Sequence, residues 1–186
     1  RRHPGPILKG VMEMSVTVKS VSDLEKIKAD YNANTAAHTH QVLVCSGAGC
    51  VSSSCADVRD AVAAELARMG RSGEVLVRET GCMGTCAVGP VMLILPERVF
   101  YTKLTPETAR EVIESHIARG EVLTEHTFYD HSLQKHVPKI DDIDFFKEQV
   151  RVALRNCGEI EYSNIEAYIA KDGYLAAARA LTARSP

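Results

Sequence analysis

The sequence predicts an α/β fold with a mixed sheet, followed by a short helical segment. Strand-like runs at 42–44 and 74–80 flank a helical pattern at 54–69. A strand, a crossover helix and a second strand favour a parallel pair, because parallel neighbours need a long connection between them. A hairpin pattern then leads into another helix, and residues 141–186 show only short helical patterns.

The first helix is predicted over residues 22–33, SDLEKIKADYNA. Its Ser-x-x-Glu start is typical of a capping box, in which side chains and backbone exchange hydrogen bonds at a helix N-terminus. Leu24, Ile27 and Tyr31 recur at helical spacing and give this helix one apolar face. The polar stretch NANTAAHTHQ is expected to end it.

The first predicted strand, at residues 42–44, is short, rich in β-branched residues and followed by Gly47. Cys45 therefore stands at the end of a buried strand. The next helix is predicted to begin at Ser54 with a Ser-x-x-Asp start and to end at Gly70. Its apolar face consists of Val58, Val62, Leu66 and Met69.

The segments GPVMLIL and VFYTKL predict a hairpin around residues 96–98. TPETAREVIESHIARG is typical of a helix, with Thr105 as its N-cap, Pro106 in its first turn and Gly120 after its end. From residue 42 onwards the order is strand, helix, strand, strand, strand, helix. This is a thioredoxin-like layout with the cysteine-containing loops at the ends of its strands.

Four segments are expected along the chain. Residues 1–20 are predicted to be a disordered leader, and residues 21–120 to form the sheet-containing domain. Residues 121–140 have three histidines, no clear period and Pro138, which is typical of a surface linker. Residues 141–186 are expected to be the helical start of a further domain whose remainder is absent, because these short helices cannot form a core alone.

Composition and charge favour a soluble, near-neutral protein. The 22 basic and 24 acidic residues give a net charge of −2, so there is no general attraction to nucleic acid or anionic lipid. No run approaches the roughly 18 apolar residues that span a bilayer, and the N-terminal segment lacks the apolar core of a signal peptide. A cytoplasmic protein is expected, with neither nucleic-acid binding nor direct membrane insertion.

Six cysteines in a chain without an export signal favour reduced thiols or a metal site. Two pairs stand out, Cys45 with Cys50 and Cys82 with Cys86, and both lie in glycine-containing loops. Four thiolates are the usual ligands of an iron–sulfur cluster or a structural zinc ion. Glycines let the backbone wrap closely around a bulky inorganic core. The pattern predicts a metal centre built from two loops.

Cys55 complicates the first loop, because it repeats the spacing between Cys45 and Cys50. If a helix begins at Ser54, Cys55 lies in its first turn, whereas the other two cysteines lie in the loop at the end of the strand. Our interpretation is that Cys45 and Cys50 are ligands and that Cys55 is not.

Other roles for the thiols remain open from spacing alone. A disulfide is disfavoured by the expected compartment, and thiol–disulfide exchange usually needs two cysteines separated by two residues at a helix start, which neither pair has. Zinc is the stronger alternative, because its ligand gaps of about two to four residues overlap these. It would make the protein a zinc-stabilised interaction domain without redox activity, whereas the favoured iron–sulfur centre would make it an electron carrier.

Other candidate residues carry weaker signals. Cys157 has no second ligand nearby in the sequence and is expected to be a buried structural cysteine at a helix end, and Met83 is expected to pack over the metal centre. Among the scattered histidines only His38 with His40, or the three in the linker, could form a site, and exposed, unliganded histidines are the favoured interpretation. The linker histidines are His126, His131 and His136. No catalytic residue is predicted.

The cysteine segments resemble a known family. CSGAGC, ETGCMGTCAVGP and the following VMLILPERVFYTKLTPE are similar to the thioredoxin-like [2Fe-2S] ferredoxin domain over about residues 41–120. In that family four loop cysteines ligate one low-potential [2Fe-2S] cluster. The resemblance implies that the ligands here are Cys45, Cys50, Cys82 and Cys86.

The C-terminal segment carries a second resemblance. FFKEQVRVALRNCGEIEYSNIEAYIAKDGYLAAARAL is similar to the opening of the flavin-binding, NADH-oxidising subunit of complex I and of NAD(P)-linked, often electron-bifurcating, iron-only hydrogenases. A ferredoxin-like domain ahead of LRNCG resembles the hydrogenase and related bifurcating forms.

This second resemblance implies an electron-transfer module inside a hetero-oligomeric NAD(P)H-linked complex, whose other iron–sulfur and flavin subunits are its partners. In that family FMN, NAD(P) and a [4Fe-4S] cluster are bound by later segments, which are expected only on the missing remainder of the subunit. By itself, this segment is not expected to catalyse a reaction.

Overall fold

A computed structural model describes residues 17–183; the predicted leader lies outside the described residues except for residues 17–20. The helices are α1 Val21–Ala36, α2 Ala48–Ser52, α3 Cys55–Arg68, α4 Pro106–Val112, α5 Asp144–Lys147, α6 Ile165–Ala170 and α7 Leu175–Ala183. The strands are β1 His40–Cys45, β2 Val75–Thr80, β3 Met92–Leu95, β4 Val99–Tyr101, β5 Phe128–Asp130 and β6 Lys135–Val137. In this part of the chain, no helix combines the length and the apolar character needed to cross a membrane.

A four-stranded mixed sheet with the order β2-β1-β3-β4 forms the centre of the fold. β1 and β2 are parallel, with His40 opposite Val75 and Cys45 opposite Thr80. β3 runs antiparallel to β1, and β4 runs antiparallel to β3. The predicted parallel pair, crossover helix and hairpin are confirmed.

The core surrounds the two central strands of this sheet. Three consecutive residues of β1, Val42, Leu43 and Val44, are each 0% exposed. Because successive side chains of a strand point to opposite faces, both faces of the sheet are covered. The helix α3 contributes Val58 and Leu66 to the same core, as their helical spacing predicts.

The helix α1 begins earlier than predicted. Ser20 is its N-cap: the Ser20 hydroxyl accepts the Asp23 N–H at 3.3 Å, and the Asp23 carboxylate accepts the Ser20 N–H at 2.9 Å. The prediction assigned this reciprocal cap to Ser22 and Glu25, which have the same spacing. The helix also continues to Ala36, because polar side chains on an exposed helix face do not interrupt it.

The ends of the predicted helix after the hairpin are confirmed, but its second half is not an α-helix. Thr105 caps it, Pro106 starts it, and Gly120 follows with φ of 72°. From Ile113 to Arg119 the chain forms a wider π-helix. His116 lies in this stretch and is 4% exposed, so the wide turns contribute a titratable side chain to the interior.

Residues 121–140, predicted to be a surface linker, instead form a hairpin that packs on the sheet. β5 pairs with β6, and isolated bridges join Tyr101 to Thr127 and Val99 to Lys139. Val137 and Ile140 belong to the main core. Strands of three residues are too short to give a periodic signal, which is why the sequence pattern does not predict them.

The C-terminal segment also packs on this domain. Glu161 bridges to Thr80 at the outer edge of β2, and the helix α6 lies against α1. An ion pair joins Lys28 Nζ to Asp172 Oδ1 at 2.6 Å. The segment predicted to open a further domain therefore shares a packed surface with the sheet-containing domain.

Candidate metal centre

Both cysteine loops lie at the same end of the central sheet. β1 ends at Cys45 and its parallel neighbour β2 ends at Thr80, so both loops leave the sheet at this edge. The second loop returns towards β3 beside the first cysteine, because the Cys45 N–H donates to the Val91 carbonyl at 3.1 Å. The topology thus brings together loops that lie far apart in the sequence.

The first loop contains a short helix that the sequence analysis does not predict. Cys50 lies in α2 and is 1% exposed, and Cys45 at the end of β1 is 2% exposed. Helix propensity does not predict α2, because Gly47 is its N-cap residue and Gly49 lies within it, and glycine disfavours helix interiors. Both thiols of the first loop are shielded from water.

The second loop places its thiols nearer to the surface. The Sγ atoms of Cys82 and Cys86 are 3.9 Å apart, and Cys86 is exposed at the start of the 3₁₀ turn Cys86–Val88. Gly84, with φ of 89°, directs its N–H to the Cys82 sulfur at 3.4 Å. A backbone donor to sulfur stabilises the negative charge of a thiolate ligand.

Glycines in each loop contact cysteines of the other loop. A Cβ atom placed on Gly47 would lie 2.7 Å from the Cys82 Cβ, and one on Gly49 would lie 2.9 Å from the Cys86 Sγ. In the reverse direction, a Cβ on Gly89 would lie 3.1 Å from the sulfur of the cysteine in α2. Larger residues in the first loop would force the loops apart. Three of the four predicted ligands therefore lie where the two loops interlock, namely Cys50, Cys82 and Cys86.

Two thiols of this site, Cys50 and Cys86, are difficult to ionise on their own. Burial raises the pKa of Cys50 to about 12, and the neighbouring Cys45 acts in the same direction. The pKa of Cys86 is raised by hydrogen bonding to Cys82 and by its charge. Several neighbouring thiolates repel one another unless a cation neutralises them. This electrostatic arrangement fits metal ligands better than a reactive free thiolate.

Cys55 is the first residue of α3, as the predicted helix boundary requires. It is 2% exposed, and burial raises its pKa. Ser54 adopts a left-handed conformation with φ of 62° and makes no side-chain cap, so the predicted Ser-x-x-Asp start is wrong in its hydrogen bonding. The assignment of Cys55 as a non-ligand stays a prediction.

Cys157 lies in a turn beside the second cysteine loop and is partly exposed, so the predicted buried position at a helix end is wrong. A Cβ on Gly81 would lie 3.0 Å from the Cys157 sulfur, and a Cβ on Gly158 would lie 2.9 Å from the Met83 Sδ. Met83 is 5% exposed and packs against the C-terminal segment. One side of the second loop is thus covered by the C-terminal segment, which lies far from the loop in the sequence.

The histidines that the sequence singles out have partners or surroundings of their own. His38 Nδ1 is 2.9 Å from the Asn34 carbonyl oxygen, whereas His40 Nε2 lies 3.3 Å from Glu97. The three linker histidines line one open cavity of about 470 Å³. Within residues 17–183, no three His, Cys, Asp or Glu side chains have the spacing of a site for a single metal ion.

Two buried hydroxyls that the sequence analysis does not single out adjoin the predicted ligands. Ser46 Oγ follows Cys45 and Thr85 Oγ1 precedes Cys86, and neither has a hydrogen-bond partner within residues 17–183. Buried hydroxyls are normally paired, and the sulfur atoms of an iron–sulfur cluster accept hydrogen bonds. Four thiols, close-packed glycines and two spare donors fit a [2Fe-2S] cluster. The only signal in the sequence was a hydroxyl residue next to a cysteine.

Comparisons with known proteins agree with this chemistry. The profile of the thioredoxin-like [2Fe-2S] ferredoxin family matches residues 12–116. A [2Fe-2S] ferredoxin of Clostridium pasteurianum is 34% identical over 92 residues, which cover 45% of this chain and 90% of that protein. A [2Fe-2S] ferredoxin of Aquifex aeolicus is 39% identical over 46 residues, which cover 25% of this chain and 41% of that protein.

Among solved structures, a thioredoxin-like [2Fe-2S] ferredoxin from Aquifex aeolicus aligns with 48% of this chain and 90% of its own, at 25% identity and a TM-score of 0.44. The family profile covers more than half of the 186 residues and includes both cysteine pairs. The chain belongs to the thioredoxin-like [2Fe-2S] ferredoxin family.

Proposed function

We propose that the chain holds one [2Fe-2S] cluster on Cys45, Cys50, Cys82 and Cys86 and passes single electrons between partner redox centres. Family membership supports a ferredoxin-like electron carrier. The observation that supports these four ligands is the interlocking of the two loops, in which glycines of one loop approach cysteines of the other.

A bound [2Fe-2S] cluster supplies one-electron redox chemistry. The residues of this chain determine its surroundings. The buried Cys45 and Cys50 provide a dry inner side, whereas the exposed Cys86 leaves an outer side that a partner can approach. The Gly84 N–H donates to the Cys82 sulfur, which favours the negative charge there.

The carrier is proposed to work in the cytoplasm within an NAD(P)H-linked oxidoreductase or hydrogenase complex. Two observations support this context. The segment around LRNCG resembles the opening of a flavin-binding, NADH-oxidising subunit. The same segment packs on the second cysteine loop, through Cys157 at Gly81 and Gly158 at Met83. FMN, NAD(P) and a [4Fe-4S] cluster would then belong to the rest of that subunit, and other iron–sulfur and flavin subunits would be the partners.

Anaerobic reconstitution with iron and sulfide tests the cofactor. We expect a brown protein with about two irons and two sulfides per chain, whose visible bands bleach with dithionite. A colourless protein with one tightly bound zinc ion would contradict the proposal and favour the zinc-stabilised interaction domain.

Two serine variants test the ligand assignment. Cys50→Ser is expected to lose most of the cluster, because it removes a thiolate ligand. Cys55→Ser is the matched control: it alters a cysteine of nearly equal burial, 2% against 1% exposed, and is expected to retain the cluster. Iron content and the visible spectrum measure both results. The reverse pattern would overturn the assignment.

The intact complex tests the metabolic context. NADH or NADPH is expected to reduce this cluster when the flavin-containing remainder is present, which electron paramagnetic resonance would detect, and to leave the 186-residue chain oxidised. Failure of both nucleotides in a flavin-loaded complex would contradict the NAD(P)H link and leave the electron-carrier function standing.

A further inference from the structure

Thr85 is the N-cap residue of the 3₁₀ turn, but its side chain does not cap that turn with a hydrogen bond. It precedes the 3₁₀ turn Cys86–Val88, where a threonine hydroxyl often accepts a backbone N–H from the following turn. The Thr85 side chain makes no such bond. Its Oγ1 is shielded from water and unpartnered among residues 17–183. A buried hydroxyl without a partner is unfavourable, so this one is available to an acceptor that lies outside residues 17–183.

Ser46 repeats the arrangement in the first loop. Its Oγ is also buried and unpartnered within the described part of the chain, and it directly follows Cys45. The Ser46 hydroxyl also faces the Cys55 thiol and acts to lower the pKa of that thiol, although the two atoms lie outside strict hydrogen-bond geometry. The Ser46 N–H donates to the Thr80 carbonyl at 2.9 Å, which fixes the backbone. Each loop therefore has one buried hydroxyl, unpaired within residues 17–183, on the residue that adjoins a proposed ligand in the sequence.

We propose that the Thr85 and Ser46 hydroxyls donate hydrogen bonds to sulfur atoms of the cluster and thereby raise its reduction potential. This inference rests on the ligand assignment proposed above. A hydroxyl can donate a proton to sulfur, and hydrogen bonds to the sulfurs are among the factors that set the potential of a cluster. Reduction adds negative charge, so a donor stabilises the reduced form more than the oxidised form.

Thr85→Val tests the donor with little change of volume. We expect a more negative midpoint potential in a redox titration, and loss of an exchangeable proton coupling in electron–nuclear double resonance of the reduced cluster. Thr85→Ser restores the hydroxyl and is expected to restore both properties. Ser46→Ala is expected to shift the potential in the same direction.

Thr127→Val is the matched control. Thr127 is also buried, at 2% exposed, but its hydroxyl donates to the Thr124 carbonyl at 2.6 Å within the chain. It is expected to lower the stability of the metal-free protein and to leave the potential unchanged. Thr85→Val is expected to lower the potential and to leave the stability of the metal-free protein undiminished, since removing a hydroxyl that is unpaired within residues 17–183 does not cost the metal-free protein a hydrogen bond.

The outcomes separate this inference from the proposed function. A wild-type chain that takes up no cluster would contradict the proposed function. A wild-type chain with a cluster whose potential and proton couplings are unchanged in both Thr85→Val and Ser46→Ala would overturn the hydroxyl inference alone. If Thr85→Val takes up no cluster, uptake by Thr85→Ser supports the donor, and failure of both variants counts against it.

Discussion

His116 shows how a single residue can link the fold to pH. Its Nδ1 atom is 2.8 Å from the Tyr101 hydroxyl, and its Nε2 atom is 3.7 Å from a Glu97 carboxylate oxygen. Glu97 also faces His40 at 3.3 Å. Burial lowers the pKa of His116 below its ordinary value of 6.5, although Glu97 acts in the opposite direction. The folded protein therefore holds this imidazole neutral where the unfolded chain would protonate it.

The stability of the metal-free protein is expected to fall as the pH drops below about 6.5, because the unfolded state then binds a proton that the folded state does not. The loss should level off below the lowered pKa of His116 in the folded state. Urea denaturation between pH 5 and pH 8 measures it. His116→Gln should flatten this dependence, whereas His131→Gln, at an exposed position, should preserve it. Equal slopes in the wild type and His116→Gln would count against this account.

Among the elements, the C-terminal segment is hydrogen-bonded to the end of β2. The Thr80 hydroxyl accepts the Gly158 N–H at 2.8 Å, and Tyr162 N–H donates to the Glu79 carbonyl at 3.1 Å. Gly158 has φ of 80° and touches Met83 in the second cysteine loop. The segment is thus attached both to the sheet and to the candidate metal centre.

Gly158→Ala is expected to destabilise the protein more than Gly120→Ala. Both residues have positive φ, 80° and 72°, so each variant bears a left-handed strain of about 1–2 kcal/mol. Only at Gly158 would the new methyl group meet Met83, at 2.9 Å from its Sδ, whereas among residues 17–183 no atom lies within 4 Å of a Cβ placed on Gly120. Thermal or urea denaturation compares the two variants. Equal losses would show that the Gly158–Met83 contact has no energetic role.

Sequence patterns predicted the elements that have a long enough period or clear end signals. Val58, Val62 and Leu66 predicted α3, and Thr105 with Pro106 predicted the start of α4. The helix α2 and the β5–β6 hairpin were missed because they are too short for a periodic signal. Their residues are ordered by contacts with distant parts of the chain, which a local pattern does not contain.

The candidate site likewise has features that the local sequence predicts and features that it does not. Spacing and glycine content predicted the two cysteine loops, because ligand pairs and the turns around them are local features. The contacts of Gly89 with Cys50 and of Cys157 with Gly81 join positions far apart in the sequence. No local pattern predicts such contacts. The same applies to the buried hydroxyl of Thr85, which has no partner within residues 17–183.

At the scale of the whole molecule, the metal centre lies at one end of a core that extends well beyond it. The core includes residues of β3 and β4 and of the helix that follows them, such as Leu93, Phe100 and Ile113, each 0% exposed. This apolar core does not require a metal to be buried. The cluster is therefore expected to add stability to a fold that already exists.

Removal of iron is expected to lower the melting temperature without unfolding the protein. Binding to the folded state alone stabilises it by mass action, whereas the sheet and its core remain without the cluster. Circular dichroism of the reconstituted and chelator-treated protein would show similar secondary structure and a lower transition in the metal-free form. Collapse of the far-ultraviolet signal on chelation would mean that the metal centre is required for folding.

The parallel pairing of β1 and β2 also orders events in biogenesis. The first cysteine pair precedes the crossover helix α3, and the second pair follows β2, so the two pairs meet only after this whole unit has been synthesised and has folded. On the ribosome, the earlier loop can present at most half of the ligand set. If the four proposed cysteines are the ligands, complete coordination of a cluster requires the paired strands, and the folded site then has one buried side and one accessible side.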